Sequence, residues 1–198
     1  MTNMPKLERI ILNGKFVRLE PLALAYAEAL TAISHDPDLW RYMSSANLST
    51  RDAMHAWVTQ NATQPDRGEG LPFVLVDLQS ERVAGSTSLY DVNHRHQRAE
   101  LGLTWLAREF QRTALNTEAK LLLLTHAFET LNFRRVHLKA NVNNERSRRA
   151  IQRIGGQFEG ILRNYSVMPD GASADIAMYS ITREDWPEVK ERLQGLLK

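Results

Sequence analysis

The sequence predicts an α+β fold with one mixed, mostly antiparallel sheet. Segments with the alternation of a strand and segments with helical periodicity occur in the order strand, helices, three strands, helix, strand, helix and hairpin. Only short polar turns separate the three central strand candidates, which is typical of an antiparallel meander. No repeat or linker interrupts this order, and 198 residues, of which 43% are hydrophobic, suit a single domain spanning residues 1–198.

The first part of the chain reads as a strand followed by helices. Residues 16–20 alternate between apolar and polar, and Pro21 ends this strand ahead of a helical run over residues 22–34. Ser49 and Thr50 are N-cap residues for a second helix, whose apolar positions recur at helical spacing. We further expect a turn over residues 35–37, a short helical piece over 39–43 and a loop over 64–70.

The central strands are predicted over residues 73–78, 83–92 and 98–106. The helix that follows has N-cap candidates at Asn116 and Thr117, and its buried face consists of Leu121, Leu124, Phe128 and Leu131. A strand is expected over 135–142, followed by a helix over 147–154 that ends at Gly155 and Gly156. Two further strands, over 157–167 and 175–181, are expected around a turn at 169–171, and a helix over 186–197 closes the chain.

The composition excludes several classes of function. The 25 basic and 23 acidic residues leave a net charge of only +2, which argues against a dedicated nucleic-acid or membrane-surface role. The absence of cysteine removes thiolate nucleophiles, disulfides and cysteine metal sites, and we expect no metal site. The N-terminal residues lack the apolar core of a secretion signal and no window resembles a membrane span, so we expect a cytoplasmic protein.

The most informative segment is 110–120, which a strand enters and a long helix leaves. A loop at a helix start presents free backbone N–H groups at the positive end of the helix dipole, and this combination favours anions. A second segment, Asn144 to Ser147, opens the next helix. The sequence therefore predicts an anion-binding loop beside a second polar helix start.

These two segments, in this order of elements, resemble the GCN5-related N-acetyltransferase (GNAT) family. The likeness covers nearly the whole chain and is greatest to the branch of ribosomal-protein serine/alanine N-acetyltransferases, the RimJ/RimL-like enzymes. It rests on residues 12–21 (Leu-Asn-Gly-Lys-Phe-Val-Arg-Leu-Glu-Pro), residues 99–102 (Ala-Glu-Leu-Gly), Asn144, Ser147, Glu159, Gly160, Leu162, Arg163, residues 169–171 (Pro-Asp-Gly), Asp175 and Trp186.

The resemblance implies a sheet splayed at its centre, helices on both faces and acetyl-CoA as co-substrate. The pantetheine arm would lie between residues 101–106 and 135–142, against the backbone of Thr104, Trp105 and Leu106, where one N–H would stabilise the oxyanion. The diphosphate loop would consist of Gln111, Arg112, Thr113, Ala114, Leu115, Asn116 and Thr117. Ala114 and Asn116 stand where the family has glycines, which accept positive φ and let phosphate approach the backbone.

The acetyl transfer needs a proton acceptor and benefits from a proton donor. Glu100 is the candidate base, because it matches the branch's Glu-x-Gly pattern; the alternative is a strand residue paired with Arg98. His94 and His96 are weaker candidates in a nearby turn. Ile151 stands where many family members have the acidic tyrosine, so the resemblance points instead to Ser147 as acid and to Asn144 as a coenzyme contact; both could equally be helix caps.

The acceptor stays open between a protein N-terminus and a small amine. Specificity would lie in residues 22–62 and in the final hairpin, where Arg163, Tyr165 and Asp175 are candidates. One rival is a GNAT-like fold that has lost catalysis and binds CoA or a protein. Another is a nucleic-acid binder using the cluster Arg146, Arg148, Arg149 and Arg153, but a solvated helix face explains these charges as well. We expect a monomer or homodimer.

Overall fold

The computed structural model describes residues 6–43 and 47–198, and these form one mixed eight-stranded sheet. Its strand order is β1-β2-β3-β4-β5-β6-β8-β7, and every neighbouring pair is antiparallel except β5 and β6. The strands are β1 Leu12–Asn13, β2 Val17–Pro21, β3 Leu71–Asp77, β4 Arg82–Asn93, β5 Arg98–Leu106, β6 Arg135–Asn141, β7 Gln157–Val167 and β8 Ser173–Thr182. The predicted mixed sheet and central meander are confirmed.

The helices of the described part fill the connections. They are α1 Ala27–Ala32, α2 Arg51–Asn61, α3 Gln64–Arg67, α4 Ala114–Thr125, α5 Glu145–Arg153 and α6 Trp186–Gly195. A π-helical turn, His126–Thr130, continues α4, and short 3₁₀ turns occur at Leu24–Tyr26, Pro37–Leu39 and Arg108–Phe110. None of these helices is long and apolar enough to cross a membrane.

Three expectations need correction. The segment predicted as a loop over 64–70 begins with α3, which Gly68 ends in a left-handed conformation. The helical run predicted over 22–34 is shorter, because a 3₁₀ turn precedes α1. The N-cap of α4 is Thr113, which accepts a hydrogen bond from the Leu115 N–H, and not Asn116 or Thr117. Residues 44–46, inside the predicted specificity segment, lie outside the described residues, as do residues 1–5.

Helices cover both faces of the sheet, as predicted. Along β3 the buried side chains alternate, with Phe73 and Leu75 in one core and Val74 and Val76 in the other. The larger core joins the sheet to α4 and α6, through residues such as Leu123. The smaller core joins it to the helices before β3. Two separate apolar cores therefore hold the sheet from opposite sides.

A carboxylate fastens α4 to the first turn of the chain. Glu118 accepts hydrogen bonds from the backbone N–H groups of Lys15, Phe16 and Val17 at 2.7, 2.6 and 2.9 Å. Gly14 leaves the room for this carboxylate, since a Cβ there would lie 2.3 Å from Glu118 Oε2. Gly14 is thus explained by a close approach, since a Cβ there would displace a carboxylate that three backbone N–H groups hold.

The sheet splits between its two parallel strands. β5 and β6 pair in register only from Arg98 to Glu100, opposite Arg135 to His137, and diverge beyond this point. On the other side of β5, Ser86 pairs with Trp105 and Ser88 with Gly102, so β5 carries one extra residue there. The bulge lies at Leu103, whose φ is 49°. The split leaves the Leu101 to Leu106 edge of β5 facing a cleft.

Candidate active site

The open edge of β5 leads directly to the N-terminus of α4. A tight turn joins them, in which Gln111 Nε2 donates to the Leu106 carbonyl at 2.9 Å. Thr113 then caps the helix, and the first N–H groups of α4 follow. The predicted anion loop is therefore placed at the mouth of the cleft, continuous with the strand that would hold the rest of a long ligand.

The residues that replace the family's glycines are not strained. Ala114 and Asn116 lie within the first turn of α4, and neither is among the described residues with positive φ. The one left-handed residue in the loop is the exposed Arg112, with φ 62°. The backbone therefore does not require glycine conformations at 114 and 116. The Oδ1 atom of Asn116 is buried and has no hydrogen-bond partner in the described part of the chain.

Two arginines of α5 reach across to the same loop. Arg146 Nη1 donates to Gln111 Oε1 at 3.0 Å, and Arg153 Nη2 donates to Thr117 Oγ1 at 2.8 Å. The other two arginines of the predicted cluster point elsewhere, because Arg148 bonds Tyr179 and the Val142 carbonyl and Arg149 pairs with Glu145. The cluster is therefore not one basic face, and half of its charge lies beside the anion loop.

The start of α5 places one cap and one free hydroxyl. Asn144 Oδ1 accepts a hydrogen bond from the Ser147 N–H at 3.0 Å, so Asn144 acts as the N-cap. The half-buried hydroxyl of Ser147 makes no hydrogen bond within residues 6–43 and 47–198. Ile151, at the position of the usual tyrosine, is buried in the core. Ser147 therefore does not cap the helix through its side chain, which remains available.

Glu100 lies where β5 and β6 part, and it is 2% exposed. Tyr90 donates a short hydrogen bond to its Oε1, while Oε2 lies 2.8 Å from Lys139 Nζ and 3.3 Å from His137 Nε2. Burial opposes ionisation, but the contacts of His137, Lys139 and Tyr90 outweigh it and hold the pKa of Glu100 below its usual value. The carboxylate is therefore ionised at neutral pH.

Glu100 does form a salt bridge, as the alternative interpretation held, but not with the candidate partner Arg98. Arg98 pairs with Asp91 at 3.1 Å instead. The real partners are His137 and Lys139, which are two residues apart on β6 and therefore lie on the same face of the sheet. This spacing is the one sequence signal that could have predicted them. Three side chains could together hold a metal ion, because the ligand atoms of Asp91, Glu100 and His137 lie within 4.8 Å of one another. However, the Lys139 ammonium already contacts the Glu100 carboxylate, which favours an ion-pair network over a metal site.

Of the other candidates predicted for the acceptor side, only Tyr165 lies beside the Glu100 network in the described part of the chain. Tyr165 lies over Lys139, whose Nζ is 4.9 Å from the ring centroid, so it adjoins the Glu100 network. Asp175 accepts a hydrogen bond from the Asn164 N–H and anchors the hairpin, and Arg163 is exposed on β7. His94 contacts the Gly68 carbonyl and His96 is exposed. Neither histidine joins the network.

Thr104 and Trp105, next to the bulge of β5, lie on opposite faces of the sheet. Trp105 packs against Trp40, with ring centroids 5.2 Å apart, and its indole Nε1 is buried without a partner in the described residues. Thr104 points the other way, towards α4, where Lys120 Nζ lies 2.6 Å from its hydroxyl. Burial lowers the pKa of Lys120 to about 7. Sequence reasoning missed this lysine, because it falls on the helix face that reads as apolar.

Comparison with protein families gives the class of this protein. The model of the acetyltransferase (GNAT) domain matches residues 17–157. The chain belongs to the GCN5-related N-acetyltransferase family, as its sequence predicted. Its structure superposes on a GCN5-related N-acetyltransferase from Brucella melitensis with a TM-score of 0.90 and 30% identity, covering 100% of this chain and 90% of that one.

Two further relatives carry names from the predicted branch. The "Putative ribosomal N-acetyltransferase YdaF" of Bacillus subtilis is 36% identical over 109 residues, which are 55% of this chain and 58% of that protein. The match therefore spans little more than half of YdaF. RimJ of Mycobacterium smegmatis, solved in complex with CoA-disulfide, is 25% identical with a TM-score of 0.78 and covers 91% of this chain and 88% of that one. The resemblance to this branch is confirmed.

Proposed function

We propose that this protein is an acetyl-CoA-dependent N-acetyltransferase that moves the acetyl group directly to a primary amine, with residues 1–198 acting as one domain. The observation that carries the proposal is the continuity of cleft and loop. The open edge of β5 offers backbone groups to an extended chain of amides, and the α4 N-terminus offers N–H groups to a diphosphate. A pantetheine diphosphate has both parts in this order.

The donor-binding residues follow from this placement. The backbone of Thr104, Trp105 and Leu106 would pair with the pantetheine arm. The diphosphate would lie on the loop from Gln111 to Thr117, where the exposed Arg112 and the Gln111-bound Arg146 add positive charge. The amide nitrogen of Asn144 would contact the coenzyme, while its oxygen caps α5.

The chemistry divides between two side chains. The acceptor arrives mostly as ammonium, and Glu100, ionised at the point where the strands part, takes its proton. The amine nitrogen then bonds to the carbonyl carbon, and a backbone N–H at the bulge stabilises the oxyanion. As the oxyanion collapses, the carbon–sulphur bond breaks and the Ser147 hydroxyl gives its proton to the leaving thiolate. The attacking nitrogen loses its second proton on becoming an amide, and this proton restores the Ser147 hydroxyl. No covalent acyl-enzyme is needed.

The acceptor is the finer part of the proposal. The name of YdaF, a putative ribosomal N-acetyltransferase, supports a protein amine as the acceptor. Lys139 contacts both Glu100 and Tyr165, and these three side chains would line the acceptor side of the cleft. Residues 22–62 and the exposed strand β7 would set specificity. A folded protein or a peptide could reach this open edge.

A catalytically degenerate GNAT fold is the second candidate, and one observation favours it. The acidic tyrosine of many family members is replaced by the buried Ile151. The replaced glycines, however, no longer support it, since Ala114 and Asn116 are unstrained in α4.

Thiol release from acetyl-CoA separates the two candidates. The purified protein is incubated with acetyl-CoA and a panel of amines: peptides beginning with Ser or Ala, polyamines and amino acids. We expect release that depends on the amine and is lowered at least tenfold by Ser147→Ala, but not by the exposed control Ser173→Ala. Acetyl-CoA binding without amine-dependent release by any amine would support the degenerate fold.

A further inference from the structure

Lys120 is buried beneath the sheet without a carboxylate partner among its described contacts. It is 6% exposed, and its ammonium nitrogen lies 2.6 Å from Thr104 Oγ1 and 3.2 Å from Thr87 Oγ1. Burying an unpaired ammonium is costly, and an apolar side chain would suit this face of α4 better. Leu123 and Leu124, on the next turn, are of that kind. A lysine that is unfavourable for packing calls for another explanation.

The two threonines that it contacts belong to the bulge. Ser86 and Ser88 of β4 have single partners in β5, but Thr87 between them faces the extra residue at Leu103 and Thr104. The two hydroxyls lie 2.7 Å apart, and Lys120 contacts both. Lys120 therefore connects the two strands at one of the two places where their backbone ladder is interrupted.

The bulge also shapes the cleft. It lies within the part of β5 that has separated from β6, whose backbone faces the proposed pantetheine arm. A bulge is held less firmly than a regular ladder, because one of its residues is unpaired. Side-chain contacts from α4, which packs against this face of the sheet, could hold the backbone of the bulge in place.

We propose that Lys120 is a positioning residue, which holds the β5 bulge through Thr104 and thereby sets the backbone N–H groups that face the acetyl and pantetheine part of the coenzyme. This inference rests on the proposed function. It assigns Lys120 no contact with the coenzyme itself. The Lys120–Thr104–Thr87 contacts lie at the thioester end of the site, and neither described hydrogen bond of the Lys120 side chain goes to the diphosphate loop.

The test compares two ligands in calorimetric titrations of the full chain. Acetyl-CoA spans both ends of the site, whereas adenosine 3′,5′-bisphosphate probes only the nucleotide end. Lys120→Met and Thr104→Val each remove one side of the contact, and Thr104→Ser keeps the hydroxyl. Lys190→Met is a surface control, since Lys190 lies on α6 and pairs with Glu129 in the turn that follows α4. Melting temperatures are measured for all variants.

We expect Lys120→Met and Thr104→Val to weaken acetyl-CoA binding roughly tenfold, about the loss of one hydrogen bond, without weakening the bisphosphate. The double variant should lose no more than either single one. Thr104→Ser should restore most of the affinity. Equal losses for both ligands, losses that add, or unchanged acetyl-CoA binding would overturn the inference. Failure of the unmodified protein to bind acetyl-CoA would instead overturn the proposed function.

Discussion

Replacing Lys120 with Met should make the protein more stable, by an amount that depends on pH. The pKa of Lys120 is lowered from 10.5 to about 7 in the folded state. Below the folded pKa the ammonium is buried with its charge, and the fold bears the full cost of that charge. Between this pKa and 10.5 the unfolded chain binds more protons than the folded one, so stability rises with pH until the cost is gone.

The magnitude follows from the same shift. At about 1.4 kcal/mol per tenfold change, a pKa lowered from 10.5 to about 7 corresponds to a cost of at most about 5 kcal/mol at low pH. Met also loses the hydrogen bonds to Thr87 and Thr104, worth about 1 kcal/mol each, although the two hydroxyls still bond to each other. We therefore expect Lys120→Met to be about 2 to 3 kcal/mol more stable at acidic pH.

Urea unfolding followed by tryptophan fluorescence measures this difference, since the chain has 4 tryptophans. The titrations are run from about pH 6 to about pH 10, across the window between the folded and unfolded pKa values. The difference between the unfolding free energies of the variant and the unmodified protein cancels the pH dependence contributed by other groups. A difference that stays constant over this range, or a variant that is less stable at acidic pH, would refute the reasoning.

Three other changes have defined outcomes. Gly14→Ala should lower the free energy of unfolding by about 2 kcal/mol, seen in urea, because its Cβ would collide with the Glu118 carboxylate, whereas Gly195→Ala, in open space, should not. Asn144→Ala should cost about 1 kcal/mol of stability through the lost cap, while Ser147→Ala should leave the melting temperature unchanged. Arg112→Ala should weaken acetyl-CoA in calorimetry at least threefold, with an effect that shrinks in salt; unchanged affinity would move the diphosphate elsewhere.

The order of strands and helices could be predicted because each element carries its own periodicity. The bounds of β5 and β7 agree with the predicted segments, since polar turns end both strands. The start of α4 could not be predicted, because Thr113, Asn116 and Thr117 are all good N-caps and only the loop geometry selects Thr113. Local signals thus fix the type of an element better than its first residue.

The contacts of the site depended on information that the sequence does not hold. Glu100 meets Lys139 and His137 only because β5 and β6 pair in a particular parallel register. Nothing in the local pattern of either strand states that register. Arg98, a near neighbour in the chain, was the plausible partner and pairs with Asp91 instead. Whether Ala114 and Asn116 strain the loop likewise depended on their φ angles, which the residue types alone do not fix.

The most direct test of the central claim, that the split between β5 and β6 holds acetyl-CoA with its diphosphate on the α4 N-terminus, is calorimetric titration with acetyl-CoA beside 3′-dephospho-CoA. We predict micromolar binding of acetyl-CoA, because Arg112 and Arg146 add positive charge beside the diphosphate loop. The dephosphorylated form should bind more weakly, because it carries less negative charge to interact with these arginines. No heat of binding at millimolar acetyl-CoA would contradict the account.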